Sequence, residues 1–66
     1  QNQLLKYERK KRGLTQEYMA KQLGYKDKSS YCLIETGKVK PSVEVAGRIS
    51  EILNLSSETT HNIFFV

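Results

Sequence analysis

Apolar positions along this chain recur at steps of three and four residues, and glycines interrupt the recurrence at near-regular intervals. Gly13, Gly24 and Gly37 divide the first half into three short segments, each with the period of a helix. Over Gln3 to Arg12, Leu5 and Arg9 share a face at i, i+4, while Lys6, Lys10 and Lys11 point elsewhere. Gly13 is placed to end that helix in the left-handed conformation. Thr15 is a good N-cap for a second helix, about Gln16 to Leu23, with Leu14 set to staple Met19. Met19, Ala20 and Leu23 form its inward face, and the small Ala20 lets another helix approach closely. Asp27 can cap a third helix running to about Thr36 before Gly37. Tyr31 and Ile34 are its expected core contacts, which leaves Lys28, Ser29, Cys32, Leu33 and Thr36 turned outward or to the edge.

After the loop "GKVKP", Ser42 caps a fourth helix whose apolar ladder is Val43, Ala46, Ile49, Ile52 and Leu53, and Asn54 ends it. Ser56 or Ser57 starts a last short helix through Thr60 to Phe64. No stretch alternates as a strand would, and nothing repeats, so the expected fold is all-α with five helices in one domain over 1–66.

Sixty-six residues are near the lower limit at which a core holds a fold without staples. The single cysteine cannot form an internal disulfide, and no Cys/His pair has zinc spacing, so neither a metal nor a cofactor is expected. A reducing, cytoplasmic compartment follows as the natural expectation. The longest apolar run is Ile63-Phe64-Phe65-Val66, too short to span a membrane, and the first residues, "QNQLLKYERKK", lack the apolar region of a signal peptide. A start without Met and a stop on an apolar run read as the ends of a piece of something longer. Because a lone domain does not leave such a run exposed, it is expected to meet either a further C-terminal part or a second copy.

Charge divides the chain. Residues 1–40 hold ten of the eleven Lys/Arg and four of the seven Asp/Glu, a balance of +6, whereas 41–66 hold Arg48 against Glu44, Glu51 and Glu58, a balance of −2. A basic face on a small domain is the electrostatic footprint of a nucleic-acid binder, but a weak signal alone, since solvated basic faces are common.

Specificity comes from motifs in joint order: Arg9, the "GLTQ" of Gly13 to Gln16, Met19-Ala20, Leu23-Gly24, Ile34-Glu35 with Gly37, then Pro41-Ser42 and the ladder to Leu55. Together they resemble the helix-turn-helix domain of the lambda repressor/Cro-like (XRE-type) DNA-binding proteins, over residues 5 to 56. The resemblance implies a repressor-like five-helix domain with its helix-turn-helix at the second and third helices. It implies a sequence-specific transcription regulator, acting as a repressor on double-stranded DNA as a homodimer at a pseudo-palindromic operator, in a bacterium or a phage. Physics agrees: a short helix, a tight turn and a second helix make a rigid corner, and the second helix fits a major groove about 12 Å wide.

By position, the resemblance puts Lys28, Ser29 and Leu33 at base edges. Lysine can donate to guanine, serine can serve several bases, and leucine can touch a thymine methyl; the competing reading of Leu33 is one of the scattered surface leucines of any domain. Gln16 falls where the family binds a phosphate, and Thr36, Lys38 and Lys40 where it grips the backbone. Arg9 and Glu35 resemble the family's ion pair between the first and third helices, a structural role. The chain departs from the family pattern in an extra residue within "YKDK", in Cys32 and in the apolar Leu33.

Other readings of the same residues are weaker. Ser29, Ser30 and Cys32 have no histidine, carboxylate orienter or oxyanion loop beside them, so no catalysis is expected. Ser30 suits a backbone hydrogen bond in the first helical turn. Lys28 one turn before Cys32 would favour a reactive thiolate, though a small half-buried side chain is the simpler reading. His61 alone makes no metal site. "RKKR", Arg9 to Arg12, reads as a solvated helical face with Arg9 the partner of Glu35 and Lys10 or Arg12 near phosphate; Tyr7, Tyr18 and Tyr25 can stack on bases or bind phosphate, although Tyr25, following the Gly24 turn, is equally a core candidate. A second functional class remains: an antitoxin or regulatory subunit whose last helices and apolar tail bind a protein partner.

Overall fold

The computed structural model describes residues 3–65, and within them the chain forms five helices: α1 Gln3–Lys11, α2 Gln16–Gln22, α3 Lys28–Glu35, α4 Val43–Leu53 and α5 Ser57–Phe64. Each start is set by a short polar side chain. Thr15, Ser42 and Ser56 accept a hydrogen bond from the backbone N–H three residues on, and Asp27 accepts from Ser29 N at 2.9 Å. Ser56, not Ser57, is the cap of α5.

Four ends share one device. The N–H groups of Gly13 and Leu14 return to the carbonyls of Lys10 and Arg9, those of Gly24 and Tyr25 to Lys21 and Ala20, those of Gly37 and Lys38 to Ile34 and Leu33, and those of Asn54 and Leu55 to Glu51 and Ser50. This double return needs a residue in the left-handed region at its centre. Gly24, at φ +83°, supplies it between α2 and α3, and Asn54, at φ 54°, does so after α4. Asparagine tolerates that conformation better than most residues with a side chain.

The ends matter because they set the directions in which successive helices leave one another. The core they enclose contains Leu5, Met19, Ala20, Leu23, Tyr31, Ile34, Ala46, Ile49, Leu53, Ile63 and Phe64, with Leu14, Tyr25, Val45, Ile52 and Leu55 packed on it. α2 packs most extensively on α3, and α1 meets α3, α2 meets α4, and α4 meets α5. Ala20 is 2 % exposed at the α2 contact face, where its methyl allows close approach. Among the described residues no helix is long and apolar enough to cross a membrane.

Two expectations are corrected. Val43 is 75 % exposed: it keeps the helical period of the ladder, but it is the first residue of α4 and no element covers that turn. The terminal apolar run is largely internal. Ile63 and Phe64 are buried in the core, and only Phe65 is open; Val66 lies outside the described residues. Ile63 and Phe64 therefore close this fold, because α5 needs an apolar face to stay docked on α4. A hydroxyl pair helps hold it. Thr60 Oγ1 donates to Ser56 O at 2.9 Å, so the 2.8 Å contact with Ser50 Oγ takes its proton from Ser50.

Candidate nucleic-acid interface

α3 is a helix with two unlike sides. Tyr31, Ile34 and Glu35 are buried, whereas Lys28, Ser29, Ser30, Leu33 and Thr36 are exposed and Cys32 is half-buried. The inward side is held to α1 and α2, so the outward side is presented by a fixed scaffold. Lys28, Ser29 and Leu33 all lie on that outward side, and Leu33 offers 41 % of its surface, an apolar area with no intramolecular cover.

The anchor of α3 is a polar cluster. Arg9 donates from Nε to Glu35 Oε2 at 2.8 Å and from Nη2 to Glu35 Oε1 at 2.9 Å, and Nη1 donates to Leu14 O at 2.6 Å. One guanidinium thus binds the last residue of α3 and the turn that leads into α2. Gln16 Nε2 adds a third hydrogen bond to Glu35, at 3.2 Å on Oε1. Burial pushes the Glu35 carboxyl up, but Arg9 above all, with the neighbouring Tyr31 hydroxyl and Gln16 amide, outweighs it and holds the group below the usual carboxylate range. The hydrogen bond to Glu35 raises Arg9 in turn. The Tyr31 hydroxyl is buried beside Glu35 without a well-formed hydrogen bond among the described residues, and burial, with the Glu35 carboxylate next to it, pushes its ionisation well up.

Around this cluster lies an open depression of about 380 Å³ walled by Arg9, Leu14, Thr15, Gln16, Glu17 and Lys28. It brings together Gln16 and Lys28, two residues assigned above to different kinds of DNA contact. Lys38 and Lys40 are exposed in the loop after α3, where the Lys38 and Val39 N–H groups both return to Leu33 O. Thr36 is exposed too, but its hydroxyl already donates to Cys32 O at 3.0 Å and approaches Leu33 O at 3.3 Å. A hydroxyl has one proton, so Thr36 would have to exchange that bond to donate elsewhere.

Several residues behave otherwise than the sequence suggested, or were not noticed in it. Arg12 is tied to Glu8, donating to its carboxylate at 2.6 Å and to its carbonyl at 2.8 Å. Their i, i+4 spacing was the available signal. Arg48 donates to Gln22 O at 3.0 Å, joining α4 to the end of α2; no local spacing announces a pair so far apart. Tyr7 is exposed with the Lys11 ammonium 5.7 Å from its ring centroid and Tyr18 is exposed, whereas Tyr25 is half-buried against the core, the second of the two places the sequence offered it. His61 is exposed, its ring 6.3 Å from that of Phe65.

Compared with known proteins, residues 5–59 match a family model described as helix-turn-helix. No curated protein and no solved structure matches the chain significantly.

Proposed function

Since the chain belongs to the helix-turn-helix family of lambda repressor/Cro-like DNA-binding proteins, the DNA-binding part of transcription regulators, we propose that it is a sequence-specific repressor that inserts α3 into the major groove. The single observation that carries this reading is the division of α3 into an anchored inner side and an unpartnered outer side bearing Lys28, Ser29 and Leu33. In this reading Lys28 and Ser29 donate to base edges and Leu33 packs on a thymine methyl. Gln16, Lys38 and Lys40 bind backbone phosphates, and Thr36 joins them only by giving up its bond to the α3 carbonyls.

The protein acts as a homodimer, so that two copies of α3 enter successive major grooves about 34 Å apart on a pseudo-palindromic operator. The dimer contact lies in the C-terminal region, where Phe65 is 47 % exposed. The balance of +6 over 1–40 supplies the salt-dependent part of the affinity.

Selection from random duplex DNA at a stated salt concentration tests the proposal. An enriched motif with two-fold related half-sites is the expected result. Recovery of DNA with no shared motif would sink sequence-specific binding, and a single unpaired half-site would sink the dimer.

A further inference from the structure

We infer that Glu35, besides pairing with Arg9, is a positioning residue that fixes which way the Gln16 amide faces and thereby prepares the phosphate contact. The inference rests on the DNA-binding reading above. Its basis is the way hydrogen bonds divide at one carboxylate. Oε2 receives Arg9 Nε, and Oε1 receives both Arg9 Nη2 and Gln16 Nε2. An ionised carboxylate only accepts. The two ends of a glutamine amide are nearly alike in shape, but one is a double donor and the other an acceptor. A neighbour that only accepts admits the nitrogen end alone, because the opposite flip would set the amide oxygen against the carboxylate.

The consequence lies on the other side of the amide. Nε2 carries two protons, and its contact with Oε1 at 3.2 Å uses one. In a planar amide the second proton points away from Glu35. Gln16 is half-buried on the wall of the open depression that also borders Thr15, Glu17 and Lys28. A phosphate oxygen entering there meets an N–H already oriented, so less side-chain freedom is lost on binding. Arg9 makes the arrangement tolerable to an anion. Its guanidinium covers both Glu35 oxygens, so the buried carboxylate does not confront the phosphate as an uncompensated charge.

The role of Glu35 is thus separable from simple bracing of α1 against α3, and the test separates them. In the free protein, nuclear magnetic resonance of the Gln16 side-chain amide is expected to show one of its two proton signals, that of the proton facing Glu35, displaced from the position of an unrestrained glutamine and protected from exchange relative to the other. In Glu35→Gln, whose amide can accept or donate, the pair should move to the positions of an unrestrained glutamine. Affinity for the selected duplex is then measured for the wild type, Gln16→Ala, Glu35→Gln and the double variant, at a temperature where all are folded. Each single change is expected to weaken binding about fivefold, and Glu35→Gln to add nothing once Gln16 is Ala.

If the two losses instead multiply, Glu35 acts through the fold alone and the inference is overturned. Gln16 amide protons that both sit at the positions of an unrestrained glutamine and exchange at equal rates in the wild type overturn it too, a result available even where Glu35→Gln fails to fold. A wild-type chain that binds no duplex overturns the DNA-binding reading, and with it the inference, and is plainly distinct from multiplied losses.

Discussion

Arg9 holds Glu35 by two near-parallel hydrogen bonds, 2.8 and 2.9 Å long, between residues 26 positions apart in the chain. Both side chains are nearly sealed from solvent, at 7 % and 2 % exposure. Two desolvated charges contribute little net energy as a pair, yet each is costly once the other is gone. Glu35→Ala is therefore expected to destabilise the protein by about 3–5 kcal/mol, and Arg9→Met with Glu35→Leu together by less than either single change. Urea denaturation of the wild type, Glu35→Ala, Arg9→Met, Glu35→Leu and the double variant checks this, and a double variant as unstable as the sum of its parts would contradict it.

The same pair predicts an acid limb. Glu35 has its ionisation lowered in the folded protein, so the unfolded chain takes up the proton more readily. The stability it contributes is complete above the unfolded glutamate value of about 4.3 and is lost as pH falls from there through the lowered folded value. Arg9 is raised, so its contribution is lost only at pH above the arginine range and does not enter. Thermal melts from pH 6 down to about pH 2 should show a steeper decline in the wild type than in Glu35→Gln; equal slopes would remove Glu35 from the acid limb.

Phe64 and Phe65 are neighbours with opposite surroundings, 8 % and 47 % exposed. Phe64→Ala opens a core cavity and should cost about 3–5 kcal/mol. Phe65→Ala should cost well under about 1 kcal/mol of folding stability and act instead on self-association, as read by analytical ultracentrifugation. Comparable losses of stability from both would mean that Phe65 is also core.

Leu33 is the most direct probe of base reading. Leu33→Gln exchanges an apolar contact for an amide able to bond adenine, and should change the preferred base at one operator position in each half-site, with a discrimination of about 1–3 kcal/mol. An unchanged preference in repeated selection would mean that Leu33 touches no base.

Lys38 and Lys40 should behave differently from Leu33. Replacing either by Ala is expected to weaken binding to all duplexes alike and to reduce the slope of log affinity against log salt by about one. A loss confined to one sequence, with the slope unchanged, would make that lysine a base reader.

The helices themselves were legible because their signals are local. A cap, the period of an apolar face and a left-handed stop act within a turn or two, and Thr15, Asp27, Ser42, Gly13, Gly24 and Asn54 lie where those rules place them. The Arg9–Glu35 pairing was available only through family resemblance, since nothing in a 26-residue separation specifies partners. Gln16 on Glu35, Arg48 on Gln22 O and the exposure of Val43 had no counterpart in local pattern. Periodicity states that a helix has an apolar side but not how far the neighbouring helix reaches along it. That is why Val43 could keep the period and stay in water, and why Ile63 and Phe64 could look like a tail seeking a partner. Local hydrogen bonding determines where each helix begins and ends. Which side chains meet, and which remain open to DNA, is decided only when the helices fill one another's gaps.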